Sequence, residues 1–83
     1  MRVTVLLFGQ LKDIVGRAEE SLELAPGTTV AAVMEYYAQR YPTFQNLTNS
    51  IACSINREYA VGTAVLGEGD EVGLLPPVSG GRV

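Results

Sequence analysis

The residues best placed to do chemistry are two consecutive glycines, Gly80 and Gly81, which follow two consecutive prolines, Pro76 and Pro77. Proline fixes φ and has no N–H donor, so the pair continues the chain as a stiff, extended spacer. At about 3.1–3.5 Å per residue, an arm from Pro76 to Gly81 reaches roughly 20 Å, which is enough to enter the cleft of another protein. A diglycine has no Cβ atoms, so an enzyme can close around it and reach the carbonyl of Gly81. The alternative interpretation is an inert tail.

The length and composition of the chain bound what it can do. Its 83 residues predict one folded domain, residues 1–75, followed by a flexible tail, residues 76–83. A core of this size leaves little room for a deep substrate pocket, so we expect the function to be shared with a partner. The formal net charge of −3, from six basic and nine acidic residues, argues against nucleic-acid binding. A single cysteine and the lack of an apolar segment of membrane-spanning length favour a cytoplasmic protein without a membrane span.

The strands are predicted from alternating and β-branched residues. Residues 3–8 form a strand with one face made by Val3, Val5 and Leu7. A short helix over 10–15 then ends at Gly16. Residues 20–24 alternate as a second strand that pairs with the first in a hairpin. Three later strands are predicted over 51–55, 59–61 and 71–75, with the third of these delivered by a glycine-rich turn.

One long helix is expected between the second and third strands. Thr28 or Thr29 caps it, and Pro42 ends it. Its apolar face is spaced at three and four residues and contains Val30, Val33, Met34, Tyr37 and Tyr41. Residues 43–50 read as a polar connection. This order of elements predicts an α+β fold in which a mixed sheet of four to five strands grips one helix.

Large apolar residues are also expected on the face of the sheet that the helix does not cover. Strand alternation places Phe8 and Leu75 there, and Tyr59 lies on the predicted edge strand. Each such side chain gains on the order of 1.5–3 kcal/mol when it is buried, so a partner surface could use the group as its anchor. A loop of the same chain is the alternative cover.

Other reactive residue types give weaker indications. Cys53 lies among apolar neighbours in a chain without histidine, so core packing is favoured over a catalytic thiolate. The carboxylates Glu68, Asp70 and Glu71 lie in and after a turn, where solvated charge is the usual role. No ligand spacing for a metal is present, and an independent enzyme is the weakest interpretation.

Three stretches carry a resemblance that covers nearly the full length: residues 5–16, residues 52–56, and residues 69–81 with the Pro-Pro-Val-Ser-Gly-Gly ending. In these the chain resembles the small subunits of molybdopterin synthase, the sulfur carriers of molybdenum cofactor synthesis. The resemblance implies the ubiquitin-like β-grasp fold. It also implies a carrier rather than a catalyst, with no cofactor bound by this chain.

The resemblance implies a specific chemistry for the tail. The Gly81 carboxylate would be adenylated with ATP by a ubiquitin-activating-like adenylyltransferase and converted to a thiocarboxylate. The arm of Pro76, Pro77, Ser79 and Gly80 would then thread into the large synthase subunit, where the sulfur attacks a cyclic pyranopterin precursor. Two sulfurs are needed for each dithiolene, and a heterotetramer is expected. Phe8, Tyr59 and Leu75 would be the apolar docking residues, and Lys12 would face a carboxylate across the interface.

The sequence departs from this pattern after the diglycine, where Arg82-Val83 follow and leave Gly81 without a free carboxylate. Proteolytic removal of the two residues, or their origin as an artefact, is the favoured hypothesis. Three other functions remain open: sulfur carriage for another pathway such as thiamine or a tungsten cofactor, ubiquitin-like attachment to the lysines of target proteins, and an interaction domain with an inert tail.

Overall fold

The computed structural model describes residues 1–77, so the predictions for Ser79, Gly80, Gly81 and Arg82-Val83 lie outside the described residues. The elements, in chain order, are β1 (Arg2–Leu7), α1 (Gly9–Val15), β2 (Glu19–Glu23), α2 (Val30–Arg40), α3 (Pro42–Leu47), a 3₁₀ turn (Thr48–Ser50), β3 (Ala52–Ile55), β4 (Glu58–Ala60) and β5 (Glu71–Leu75). None of the α-helices within residues 1–77 has the length and apolar character needed to cross a membrane.

The five strands form one mixed sheet in the order β2-β1-β5-β3-β4. β1 and β5 are parallel, and the other neighbouring pairs are antiparallel. This sheet with α2 across one face confirms the mixed sheet and helix predicted from the order of elements, and it is the ubiquitin-like β-grasp fold that the resemblance implied. The predicted hairpin of the first two strands is also confirmed, with Val3 opposite Leu22. Because β5 lies at the centre of the sheet, the residues that follow it leave from the middle of the domain.

The core lies between α2 and one face of the sheet. Val3, Val5 and Leu7 are buried there, which confirms the alternation read from the first strand. Thr29 caps α2, with its Oγ1 accepting a hydrogen bond from the Ala32 N–H at 3.3 Å. The helix buries Val33 and Tyr37, among others, against the strands. Helix and sheet therefore cover each other, and the opposite face of the sheet is left for other contacts.

The polar connection predicted over 43–50 was wrong. Pro42 ends α2 but is also the first residue of α3, where its missing N–H costs no hydrogen bond. Phe44 is fully buried, with its ring centroid 5.5 Å from that of Tyr37. The polar residues of this segment lie on the exposed side of a short helix, and the single Phe44 ring anchors it to the core.

Candidate functional site

The site begins where the arm leaves the sheet. The Phe8 N–H donates to the Leu74 carbonyl at 3.3 Å, which continues the pairing of β1 with β5 beyond the end of β1. Pro76 then lies so close to Gly9 that a Cβ on Gly9 would be 2.9 Å from Pro76 Cγ. Pro76 and Pro77 are both half-buried. The start of the arm is therefore packed against Gly9, the residue after Phe8.

A shallow apolar groove lies next to this exit, on the sheet face opposite α2. It encloses about 240 Å³ and is lined by Phe8, Ser54, Arg57, Tyr59 and Leu75. The register explains the grouping, because Tyr59, Ser54 and Gly73 are paired across β4, β3 and β5 and so share one face. Ligand pockets usually enclose about 300–1,000 Å³, so this groove is suited to one or two protein side chains rather than to a cofactor.

Next to the groove, β5 has a glycine in its middle, Gly73. A Cβ on Gly73 would overlap Ser54 Oγ and would lie 3.5 Å from Phe8 Cε2. The missing carbon therefore makes room for the Ser54 hydroxyl, whereas the Phe8 ring lies at ordinary contact distance from the strand. Sequence reasoning missed both Gly73 and Ser54. The only available signal was a glycine inside a strand pattern, which is typical of close approach by a neighbouring group.

The three predicted docking residues are brought together by the fold. Phe8 is 44% exposed and Tyr59 is 81% exposed, while Leu75 is half-buried at the end of β5. In the described part of the chain, nothing covers these side chains enough to bury them. Lys12 is exposed on α1 and is not among the residues that line the groove. Its role in docking stays a prediction, as does that of the other three.

Arg57 is a groove residue that the sequence did not single out. It forms the two-residue turn between β3 and β4 with Asn56, and both residues have positive φ, 51° for Asn56 and 74° for Arg57. The guanidinium Nε lies 3.6 Å from Glu71 Oε1, and the Arg57 side chain is 86% exposed. A cation thus stands at the rim of an otherwise apolar groove.

The acidic residues near β5 have structural contacts. Asp70 accepts hydrogen bonds from the Gly67 N–H at 2.7 Å and from Asn56 Nδ2 at 3.0 Å. Glu68 accepts one from the Arg2 N–H at 3.1 Å. Within residues 1–77, no group of three or more carboxylate, cysteine or histidine side chains is placed to hold a metal ion. These carboxylates organise the turn before β5.

Cys53 is a core residue, as the sequence predicted. It is buried in β3, and its Sγ lies 3.7 Å from Met34 Sδ. Burial raises the pKa of the thiol, because the charged thiolate would lose its hydration. Within residues 1–77, the apolar groove and the start of the arm at Pro76 therefore lie together, and the Cys53 thiol lies in the core.

Comparisons with known proteins agree with this geometry. The model of the ThiS family matches residues 5–81. The molybdopterin synthase sulfur carrier subunit of Mycobacterium tuberculosis is 32% identical, over 98% of this chain and 99% of that protein. The solution structure of the small archaeal modifier protein 1 from Methanosarcina acetivorans has a TM-score of 0.75 and 30% identity, with 96% of each chain covered.

A third likeness concerns an assembled protein. The chain is similar to one chain of a protein–protein complex, that of subunits 1 and 2 of molybdopterin-converting factor from Helicobacter pylori, with a TM-score of 0.67 and 23% identity. The match covers 98% of this chain and 100% of that one. At this level of identity the likeness shows the fold alone.

Proposed function

The chain belongs to the ThiS family, and because it is 32% identical to a molybdopterin synthase sulfur carrier subunit we propose that it is the sulfur carrier of such a synthase. One observation carries the proposal: the family match extends through the diglycine to residue 81, past the last residue that the structure describes. A shared fold alone would not require the match to include the arm. The groove and the packed start of the arm support the same function, because a carrier must dock and present its end.

In the proposed chemistry, the Gly81 carboxylate attacks the α-phosphate of ATP on a ubiquitin-activating-like adenylyltransferase and releases pyrophosphate. A carboxylate is a poor acyl electrophile, whereas the resulting acyl adenylate carries AMP as a good leaving group. Hydrosulfide supplied by a donor protein then attacks the acyl carbon, displaces AMP and leaves a thiocarboxylate and a proton. This chain supplies no catalytic side chain to these steps. ATP is bound and consumed by the partner.

Arg82-Val83 must be removed before this chemistry, because the carbonyl of Gly81 is otherwise part of an amide bond to Arg82. We propose that a protease cleaves that bond by hydrolysis and exposes the Gly81 carboxylate. The small side chains of Ser79, Gly80 and Gly81 suit a segment that enters narrow active sites.

The proposed acceptor complex forms with the large subunit of the synthase. The complex from Helicobacter pylori supports an assembly of this kind. Phe8, Tyr59 and Leu75 form the apolar contact, Lys12 pairs with a carboxylate of the partner, and the arm reaches the partner's active site. There the thiocarboxylate sulfur attacks a cyclic pyranopterin precursor, and water then hydrolyses the acyl C–S bond, which leaves the sulfur on the precursor and restores the Gly81 carboxylate. Two carriers serve one synthase heterotetramer.

The test is the intact mass of the protein after incubation with ATP, the activating enzyme and a sulfur donor. The chain truncated after Gly81 should exchange one oxygen for sulfur, and the full chain should do so only once Arg82-Val83 are lost. A matched control is the truncated chain with Gly81 deleted, which still ends in glycine but is one residue shorter. Exchange on the full chain without cleavage would contradict the processing step. An unchanged mass of the truncated chain, with active partners, would contradict the carrier function.

A second candidate function is attachment to other proteins. The 30% identity to the small archaeal modifier protein 1 favours it, because that likeness covers 96% of each chain. Such a modifier would join Gly81 to target lysines and would produce covalent ladders on a denaturing gel. If a lysate forms the thiocarboxylate but shows no such ladders, the modifier function is excluded and the carrier function remains. A sulfur carrier for thiamine or a tungsten cofactor would have the same tail chemistry and would differ from this proposal only in the molecule that receives the sulfur.

A further inference from the structure

We propose that Arg57 is a preorganised carboxylate-recognition residue at the rim of the groove. In this proposal the groove selects a protein segment in which an apolar side chain lies beside an Asp or Glu. The inference rests on the proposed function, since it assigns that segment to the large subunit of the synthase. It adds an ionic determinant to the apolar docking residues Phe8, Tyr59 and Leu75.

The backbone at Arg57 is the first argument. A two-residue hairpin with positive φ at both positions is a type I′ turn, whose second position strongly favours glycine. Arg57 occupies that second position at φ 74°. An L-residue with a side chain is strained there, because its Cβ approaches the carbonyl oxygen. A strained residue that persists in a fold is a candidate for a functional role.

The second argument is that neighbouring residues hold this turn rigidly. The Asn56 N–H donates to the Glu71 carbonyl at 2.8 Å, and the Glu71 N–H donates to Asn56 Oδ1 at 3.0 Å. Asn56 Nδ2 also donates to Asp70 Oδ1 at 3.0 Å. These three bonds join the turn to the start of β5, so Arg57 is displayed from a fixed support. Such support lowers the entropic cost of binding.

The third argument is that the contact with Glu71 does not account for the arginine. The Nε to Oε1 distance is 3.6 Å, and the two side chains are 86% and 33% exposed. Ion pairs of this kind contribute little to stability. The contact engages Nε, and the two Nη nitrogens are suited to donate in parallel to a carboxylate.

The kind of partner follows from the groove and the charge. A volume of about 240 Å³ lined mainly by Phe8, Tyr59 and Leu75 fits one or two apolar side chains. Arg57 at its rim complements a carboxylate next to those side chains. A nucleic acid is a poor fit, because the single arginine among the lining residues cannot neutralise a run of phosphates. A protein surface with mixed apolar and acidic character fits both features.

The experiment measures the affinity of the truncated chain for the purified large subunit by calorimetry at low and high salt, together with the thermal midpoint of the free chain. Arg57→Gly should raise the midpoint by several degrees, since it removes the strain, and should weaken binding about tenfold. Arg57→Gln should weaken binding by a similar factor without raising the thermal midpoint. Both variants should show a smaller salt dependence than the parent chain. Arg40→Gln is the matched control, because Arg40 is exposed on α2 over the Tyr36 ring and away from the groove.

The outcomes separate this inference from the function on which it rests. If the parent chain binds the large subunit and both Arg57 variants bind equally well, the inference is overturned and the carrier function stands. If the parent chain does not bind an active large subunit, the proposed function fails and the inference falls with it. Self-association of the parent chain that Arg57→Gln abolishes would assign the groove to a second copy and overturn the inference.

Discussion

Tyr59 offers the most direct test of the docking groove. It is 81% exposed on the short edge strand β4, so its truncation removes little packing from the free domain. An aromatic side chain presents about 200 Å² of surface, so Tyr59 exposes about 160 Å². At about 25 cal/mol per Å², complete burial in a complex would contribute about 4 kcal/mol. If a partner covers half of that area, the contribution is about 2 kcal/mol, or about 30-fold in affinity.

Tyr59→Ala should therefore weaken binding to the large synthase subunit about 30-fold, as measured by calorimetry with the chain truncated after Gly81. Val65→Ala is the matched control, because Val65 is 63% exposed but does not line the groove. Its affinity should stay within about twofold of the parent chain. Circular dichroism should show both variants folded.

Equal affinities of the parent chain and the folded Tyr59→Ala variant would refute the reasoning. That result would mean that the exposed ring stays in water in the complex and that the groove is not the docking surface. Weakening by Val65→Ala to the same degree would also refute it, because the contact would then lie on another part of the domain.

Three further predictions concern the folded domain. Tyr37→Phe removes the 2.7 Å hydrogen bond from the phenol to Glu20 Oε1 and should lower the free energy of unfolding by about 1 kcal/mol in urea titrations. Burial, and next the bond to Glu20, raise the pKa of Tyr37 above its usual value of 10.0. Just above pH 10 the phenol therefore ionises only in the unfolded chain, so the free energy of unfolding of the parent chain should fall more steeply with pH than that of Tyr37→Phe. Phe44→Ala should lower the free energy of unfolding by about 3–5 kcal/mol through the cavity it leaves. Thr43→Ala, at an exposed position, should change it little. A Phe44→Ala domain as stable as the parent would show that this ring does not anchor α3. Cys53 should react slowly with a thiol reagent in the native domain and rapidly in denaturant, because burial raises its pKa; equal rates would contradict its place in the core.

Local patterns were enough to predict most elements of the fold. The alternation in β1 identified Val3, Val5 and Leu7 as core residues, and Thr29 with its following apolar spacing identified α2. These signals succeed because a strand and a helix have fixed periods of about 2 and 3.6 residues. The segment of α3 lacked such a repeat. Its single buried ring, Phe44, becomes informative only when Tyr37 is known to lie against it.

Some features of the candidate site were likewise predictable from the sequence, and others depended on the tertiary structure. Residue types predicted the Pro76-Pro77 spacer and the Gly80-Gly81 end, because stiffness and the absence of a Cβ are properties of single residues. Strand alternation added the exposed apolar groups Phe8 and Leu75, and the predicted edge strand added Tyr59. Only the tertiary structure placed Thr4 of β1 opposite Glu71 of β5, far apart in the chain. That pairing brings Phe8 beside Gly73, and the pairing of β3 with β5 brings the turn of Arg57 to the rim of the groove. Contacts between distant strands depend on the packing of the whole domain, and no local pattern encodes them.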